Sequence, residues 1–271
     1  MLSLFFSIII FLFGLIVGSL LNCIIFRLKI GESFLKGRSY CPFCKTILKW
    51  PDLVPVLSFL ILKGKCRYCQ KPISWQYPLV EISTAWLFLL IFNFQFPSLV
   101  SFQFLSGPAI FNTLLLWLIA CFLIIIFVYD LKYFLIPPDK VIYSAVIIVF
   151  IYRLFNNWSD WWFFSNSLLA AIIPSAFFFF LVQVSRGSWM GVGDIKLAFL
   201  MGLFLGWPQI LIALFLAFFI GAVIGTALII LKKKTLKSEV PFAPFLVVAT
   251  FISLFWGSEL LNWYQDLFLL K

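Results

Sequence analysis

The chain contains no histidine, so any mechanism pairing serine or cysteine with an imidazole is excluded. What remains for hydrolysis is a pair of carboxylates. Held close, two like charges force one carboxyl to keep its proton while the other, ionised, activates water. Ionisable groups in or beside apolar sequence are costly and therefore mark function; Glu81, Asp130, Asp139, Asp194, Glu239 and Glu259 all sit near the ends of apolar runs. Asp130 and Asp194 are the chosen pair. Asp194 ends Gly-Val-Gly-Asp directly before a helical run, and Gly191 and Gly193 are expected to leave backbone open for a peptide to approach the carboxylate. Asp130 ends an apolar run and begins D-L-K-Y-F-L-I-P-P-D, in which Pro137 prevents simple helix continuation. The plainer alternatives are a helix cap for Asp194 and a solvated loop charge for Asp130. Because a helix dipole favours an anion at its N-terminus and opposes one at its C-terminus, Asp194 is predicted to ionise more readily, with Asp130 holding the proton.

Four cysteines carry a second chemistry. Cys41 and Cys44 form C-P-F-C, Cys66 and Cys69 form C-R-Y-C, and 21 residues separate the two knuckles. Two CxxC knuckles supply four thiolates to a tetrahedral, closed and therefore structural zinc site. Disulfides or free thiols are the alternatives. The insert of about 50 residues has few large apolar groups and needs a staple to fold. Cys23 and Cys121 fall in apolar runs and read as small buried hydrophobes.

The elements that must position these groups are membrane helices. Hydrophobic residues make up 64% of the 271 positions and charged ones only 11%, against about a quarter charged in soluble domains. The fold class is an all-α polytopic membrane protein of about eight transmembrane helices, with a small cytoplasmic zinc-binding insert between the first two. Spans are expected at residues 1 to 26, 78 to 96, 109 to 129, 140 to 155, 163 to 184, 195 to 206, 209 to 231 and 242 to 262. The first continues directly into Arg27 and reads as a retained span, not a removed signal peptide. Residues 27 to 77 hold half of all Lys and Arg against only Glu32 and Asp52, which places this segment in the cytoplasm. An outer loop follows around Pro97 to Pro108; Trp158, Trp161 and Trp162 mark an outer interface, and Lys232, Lys233 and Lys234 the inner one. Asp130 and Asp194 then share the inner face, leaving Arg153 and Lys271 outside. The net charge of +10 serves orientation, and nucleic acid is not an expected partner.

In order, four blocks resemble the type IV prepilin peptidases, the prepilin leader peptidase and N-methyltransferase family of GxGD aspartyl membrane proteases. They are Gly18 to Leu28, the four-cysteine insert with W-P-D-L-V-P-V-L-S-F-L at Trp50 to Leu60, Asp130 to Asp139, and G-V-G-D-I-K-L at Gly191 to Leu197 followed by Gly206 and Trp207. P-F-A-P-F-L at Pro241 to Leu246 is similar to a segment that usually reads P-F-G-P, so Ala243 departs from it and receives no functional weight. G-x-G-D also occurs in presenilin-like proteases, which have no place for the cysteines.

The resemblance implies an enzyme of the bacterial cytoplasmic membrane that cuts leaders from prepilins and pseudopilins, as in type IV pilus and type II secretion systems. It would then methylate the new amino terminus with S-adenosylmethionine. Asp130 and Asp194 match the catalytic aspartates, and Cys41, Cys44, Cys66 and Cys69 the zinc ligands. Trp50, Asp52, Pro55, Ser58 and Glu81 are the positions weighed for the methyl donor; an interfacial Trp50, a turn role for Asp52 and a charge partner for Glu81 stand against them. The expected division is 1–27 as first span, 28–77 as the zinc insert and methylation region, and 78–271 as a membrane-embedded peptidase domain. A peptidase without methylation, or a scaffold or transporter whose zinc insert docks a partner, are the competing readings.

Overall fold

A computed structural model describes residues 2–33, 37–96, 107–157, 161–187, 190–232 and 240–269. Within these the chain forms α1 (Leu2–Ile30), a 3-10 turn (Trp50–Asp52), α2 (Leu57–Ile61), α3 (Gln76–Gln95), α4 (Gly107–Tyr133), α5 (Asp139–Asn157), α6 (Trp161–Ser185), α7 (Val192–Leu205), α8 (Gln209–Ile230) and α9 (Ala243–Leu269). Helices thus occupy all eight expected positions. Six of them, α1, α3, α4, α6, α8 and α9, are long and apolar enough to cross a membrane. The two expected spans outside that set are α5 and α7. α5 carries Asp139, Lys140 and Arg153, and α7 has 14 residues, about 21 Å against a hydrocarbon core of about 30 Å. Trp158, Lys233, Lys234, Glu239, Lys271 and most of the expected outer loop lie outside the described residues.

The chain divides into two compact units, Met1–Ile125 and Ile126–Lys271. In the first, α1 packs on α3 through small residues. A Cβ on Gly14 would meet the backbone of Ala85, and one on Gly18 the backbone of Glu81, so the pair at i and i+4 lets two membrane helices approach closely. One turn further on, Asn22 donates to the Tyr77 carbonyl at 3.1 Å. Arg27, buried in the last turn of α1, gathers the start of the insert by donating to the carbonyls of Ser33, Gly37 and Arg38.

In the second unit α7 is the most enclosed element. Nine of its 14 residues are buried, including Leu197, Met201 and Phe204, and Gly202 lies directly against the backbone of Ala170 and Ala171 in α6. A helix this short frees backbone groups where it ends, and polar side chains take them up. Arg153 donates to the carbonyls of Leu203 (2.9 Å) and Phe204. Asn166 accepts from the Trp207 N–H at 2.9 Å, and the Ser253 hydroxyl donates to Gln209 O at 2.7 Å. Arg153, expected as a stray outer cation, is therefore the C-terminal cap of α7.

Candidate functional site

Asp130 lies one turn before the end of α4, where Phe134 (φ 54°) reverses the chain and its N–H bonds to the Asp130 carbonyl at 2.8 Å. Asp194 sits in the first turn of α7. Each residue is 6% exposed, and the Asp130 charge acts directly on Asp194, so the structure brings the two sequence-selected carboxylates together. Each accepts one backbone N–H. Gly191 donates to Asp194 Oδ2 at 3.1 Å, and Ala243, the first residue of α9, donates to Asp130. Among the described residues neither carboxylate has an ion pair; Lys196, beside Asp194 in sequence, pairs with Asp139 instead.

Three details differ from expectation. The N-cap of α7 is Gly191, and Asp194 caps from the third helical position by reaching back to the Gly191 N–H. Only Gly191 leaves open space beside the carboxylate; at Gly193 a Cβ would collide with the side chain of Ile136, so that glycine admits the α4–α5 connection rather than a substrate. The predicted ease of ionisation at Asp194 is also not met. Burial pushes its carboxyl up to about 6, the Asp130 charge adds to this, and the Gly191 N–H opposes it. Desolvation acts on the whole buried group and outweighs the help expected from the helix N-terminus.

Pro-Phe-Ala-Pro, set aside in the sequence, gains a role. Ala243 is fully buried, and Phe242 before it packs on Phe178 of α6 and Phe218 of α8 with ring centroids 6.2 and 5.2 Å apart. Pro244 follows in the first turn, where its missing N–H costs nothing. The Ala243 N–H is one of the donors that any helix start leaves over, and it is spent on Asp130. The two prolines that bound this helix start, Pro241 and Pro244, were the signal for it in the sequence.

In the insert, the Sγ atoms of Cys41, Cys44, Cys66 and Cys69 all lie within 4.8 Å of one another. Cys41 and Cys69 are 3.8 Å apart, close to the spacing of about 3.8 Å that Zn–S bonds of about 2.3 Å require in a tetrahedron. The knuckles are copies of each other. Cys41 N–H bonds to Thr46 O and Cys66 N–H to Lys71 O; Lys45 and Gln70, both at φ 58°, turn the chain at equivalent places. The N–H groups of Thr46 and Lys71 in turn reach the Cys44 and Cys69 sulfurs. Such donors favour thiolate, the ligating form. The cluster is compatible with a structural zinc.

Two of the positions weighed for the methyl donor, Asp52 and Glu81, are held by hydrogen bonds within the insert and to its neighbouring helix. Asp52 accepts from Arg67 Nε (2.7 Å), Tyr68 OH (2.9 Å) and the Lys49 N–H (3.2 Å). Burial raises its carboxyl, and these bonds outweigh burial and hold it below its usual value. Glu81 is 6% exposed and accepts the Val56 N–H at 2.7 Å and the Ser19 hydroxyl. Ser58 and Pro55 are half-buried near that turn, while Trp50 is 78% exposed.

Residues 12–94 match the bacterial peptidase A24 N-terminal domain, and residues 117–226 match the type IV leader peptidase family. The chain is 30% identical to a prepilin leader peptidase/N-methyltransferase of Aeromonas hydrophila, over 98% of this chain and 96% of that protein. It is 31% identical to one of Legionella pneumophila (93% and 92%) and 30% identical to one of Bacillus subtilis (94% and 96%). No solved structure matches.

Proposed function

The chain belongs to the type IV leader peptidase family, and from that premise we propose that it cleaves the leader of type IV prepilins and pseudopilins and methylates the amino terminus so exposed. The observation that carries the peptidase reading is the buried carboxylate pair of Asp130 and Asp194, each bound by one backbone N–H, with the Asp130 charge acting on Asp194. A carboxylate offers about four acceptor positions. With one occupied, each aspartate keeps the capacity to hold a water and a shared proton. In the singly protonated pair, the ionised member takes a proton from water as it attacks the scissile carbonyl. The protonated member donates to the carbonyl oxygen.

Cys41, Cys44, Cys66 and Cys69 would hold Zn2+, which would cross-link the two knuckles. S-adenosylmethionine would supply the methyl group. Asp52 and Glu81 have structural partners that account for them, which leaves Trp50 and Ser58 as the less committed donor-binding positions. The positive-inside pattern of residues 27 to 77 and the helix-end positions of the aspartates support a bacterial cytoplasmic membrane location with both on the cytoplasmic side.

The test is incubation of the purified chain, in lipid, with a prepilin whose basic leader ends before a hydrophobic run. Leader removal should fall by roughly 10²–10⁴-fold in Asp130→Asn and in Asp194→Asn. Full cleavage by either variant would overturn the assignment. Mass spectrometry of the product with S-adenosylmethionine present separates the two activities, since a cleaved but unmethylated terminus leaves a peptidase alone. No cleavage by the wild type would favour the scaffold or transporter reading.

A further inference from the structure

The short helix α2 turns apolar side chains outward from the insert. Leu57, Leu60 and Ile61, at i, i+3 and i+4, share one face and are 57%, 60% and 73% exposed. Its one buried residue, Phe59, packs on Trp75 with ring centroids 4.9 Å apart. Trp50, Trp75 and Leu79 add further exposed apolar surface. A soluble zinc insert has no reason to spend its few large hydrophobes this way.

Two contacts fix the level of this face along α3. Trp75 immediately precedes α3, and the Val56 N–H, at the start of α2, bonds to Glu81 at 2.7 Å. Glu81 lies five residues beyond Gln76, about 7–8 Å along the helix axis. α3 has 20 residues, about 30 Å of helix, so its whole length is needed to cross the hydrocarbon core. The start of α2 therefore lies beside the second turn of a spanning helix, about 7–8 Å inside the end of that span, which is the depth of an interfacial helix. The Glu81 carboxylate at that depth satisfies the Val56 N–H, which occupies a strained turn with φ 59°.

We propose that α2 is an interfacial anchor seated in an anionic lipid surface, with Leu57, Leu60 and Ile61 among the acyl chains and Trp50 and Trp75 at headgroup level. Charge complementarity identifies the lipid. Lys49, Lys63 and Lys65 are exposed on either side of α2 in sequence, and residues 27 to 77 carry half the chain's 20 basic residues. Of the two acidic residues there, Asp52 is bound by Arg67 and Glu32 by Tyr40. The anchor holds the zinc insert against the membrane independently of which reaction the chain performs.

The test places the photoreactive residue p-benzoylphenylalanine at Leu60, at Ile61, and at Phe43 on the first knuckle as a reference, in the full chain purified with zinc. Each variant is reconstituted in nanodiscs of phosphatidylethanolamine with phosphatidylglycerol, or of phosphatidylcholine alone, irradiated and analysed by mass spectrometry. Lipid adducts should dominate at Leu60 and Ile61, exceed those at Phe43, and rise about fivefold in the anionic discs, the effect of about one lysine at a charged surface. Adducts to a second copy of the chain or to added prepilin in place of lipid would overturn the proposal, as would water quenching with no adduct. Equal labelling in the two lipids would overturn its anionic component.

Discussion

Each unit of the chain buries carboxylates, and the two treat them differently. In the first, Asp52 collects three donors and Glu81 two, each tying a loop to its neighbour. In the second, Asp130 and Asp194 receive one backbone N–H apiece and no cation among the described residues, and Asp194 also feels the Asp130 charge. A buried carboxylate serving structure should be saturated with donors, because each unmet acceptor costs stability. One kept short of donors beside a like charge is unstable for the fold and ready for a proton and a water. The count of donors, more than burial or charge, distinguishes scaffold from chemistry here.

The broadest break of this comparison exchanges the two kinds. Asp194→Asn should lose cleavage by roughly 10²–10⁴-fold and yet melt no lower than wild type, since it removes a desolvated charge facing another. Glu81→Ala should do the reverse. It leaves the Val56 N–H and the Ser19 hydroxyl without their acceptor and lowers stability by about 1–3 kcal/mol, while leader cleavage persists in the protein that stays folded. Thermal unfolding and leader cleavage measured on both variants decide it; a Glu81→Ala protein that melts normally but cannot cleave would dissolve the distinction.

Much of this was legible in the sequence, because membrane helices and zinc knuckles are written in local pattern. Charge-free runs located the long helices, CxxC spacing located the cysteine cluster, and the absence of histidine narrowed the catalytic choice to carboxylates. Properties set by non-local packing were not legible. Nothing local says that Gly193 makes room for Ile136, that Arg153 caps α7 from another helix, or that Asp194 is buried deeply enough to override its helix position. Nor does composition reveal that Asp52 is claimed by Arg67 and Tyr68 across the insert. Gly14 and Gly18 stand four residues apart in the sequence, but that they bring α1 against the backbone of α3 emerges only from the structure.

A moderate effect should appear in the pH dependence of stability. Asp194 has a folded value of about 6 against 3.8 for the free group, so the folded state holds its proton more tightly. The sign follows: the contribution to stability is fully present below about 3.8, is lost as pH rises towards 6, and is constant above that. Asp194→Asn lacks this titration. The melting temperature of wild type should therefore fall relative to that of the variant between pH 4 and 6 and run parallel to it at higher pH. A difference that stays flat across that window would mean that the Asp194 carboxylate is as well solvated and partnered as those of the first unit.

The smallest effect concerns the single donor on Asp130. Replacing Ala243 by its α-hydroxy acid analogue, through nonsense suppression, exchanges one N–H for an ester oxygen and leaves the buried methyl group untouched. A helix does not need its first N–H, so α9 should form as before. What changes is the last donor holding Asp130 in place, a hydrogen bond to a charged group and thus worth about 1.5–3 kcal/mol. Catalysis should drop by roughly 10-fold or more, with a shifted pH profile for leader cleavage and little change in substrate KM. Ala243→Gly, which keeps the N–H, should retain the wild-type pH profile. If the ester variant cleaves with an unaltered pH profile, Asp130 is oriented by α4 alone, and the helix start at Pro241 to Pro244 serves packing; if both variants lose activity alike, the buried methyl group matters and the N–H does not.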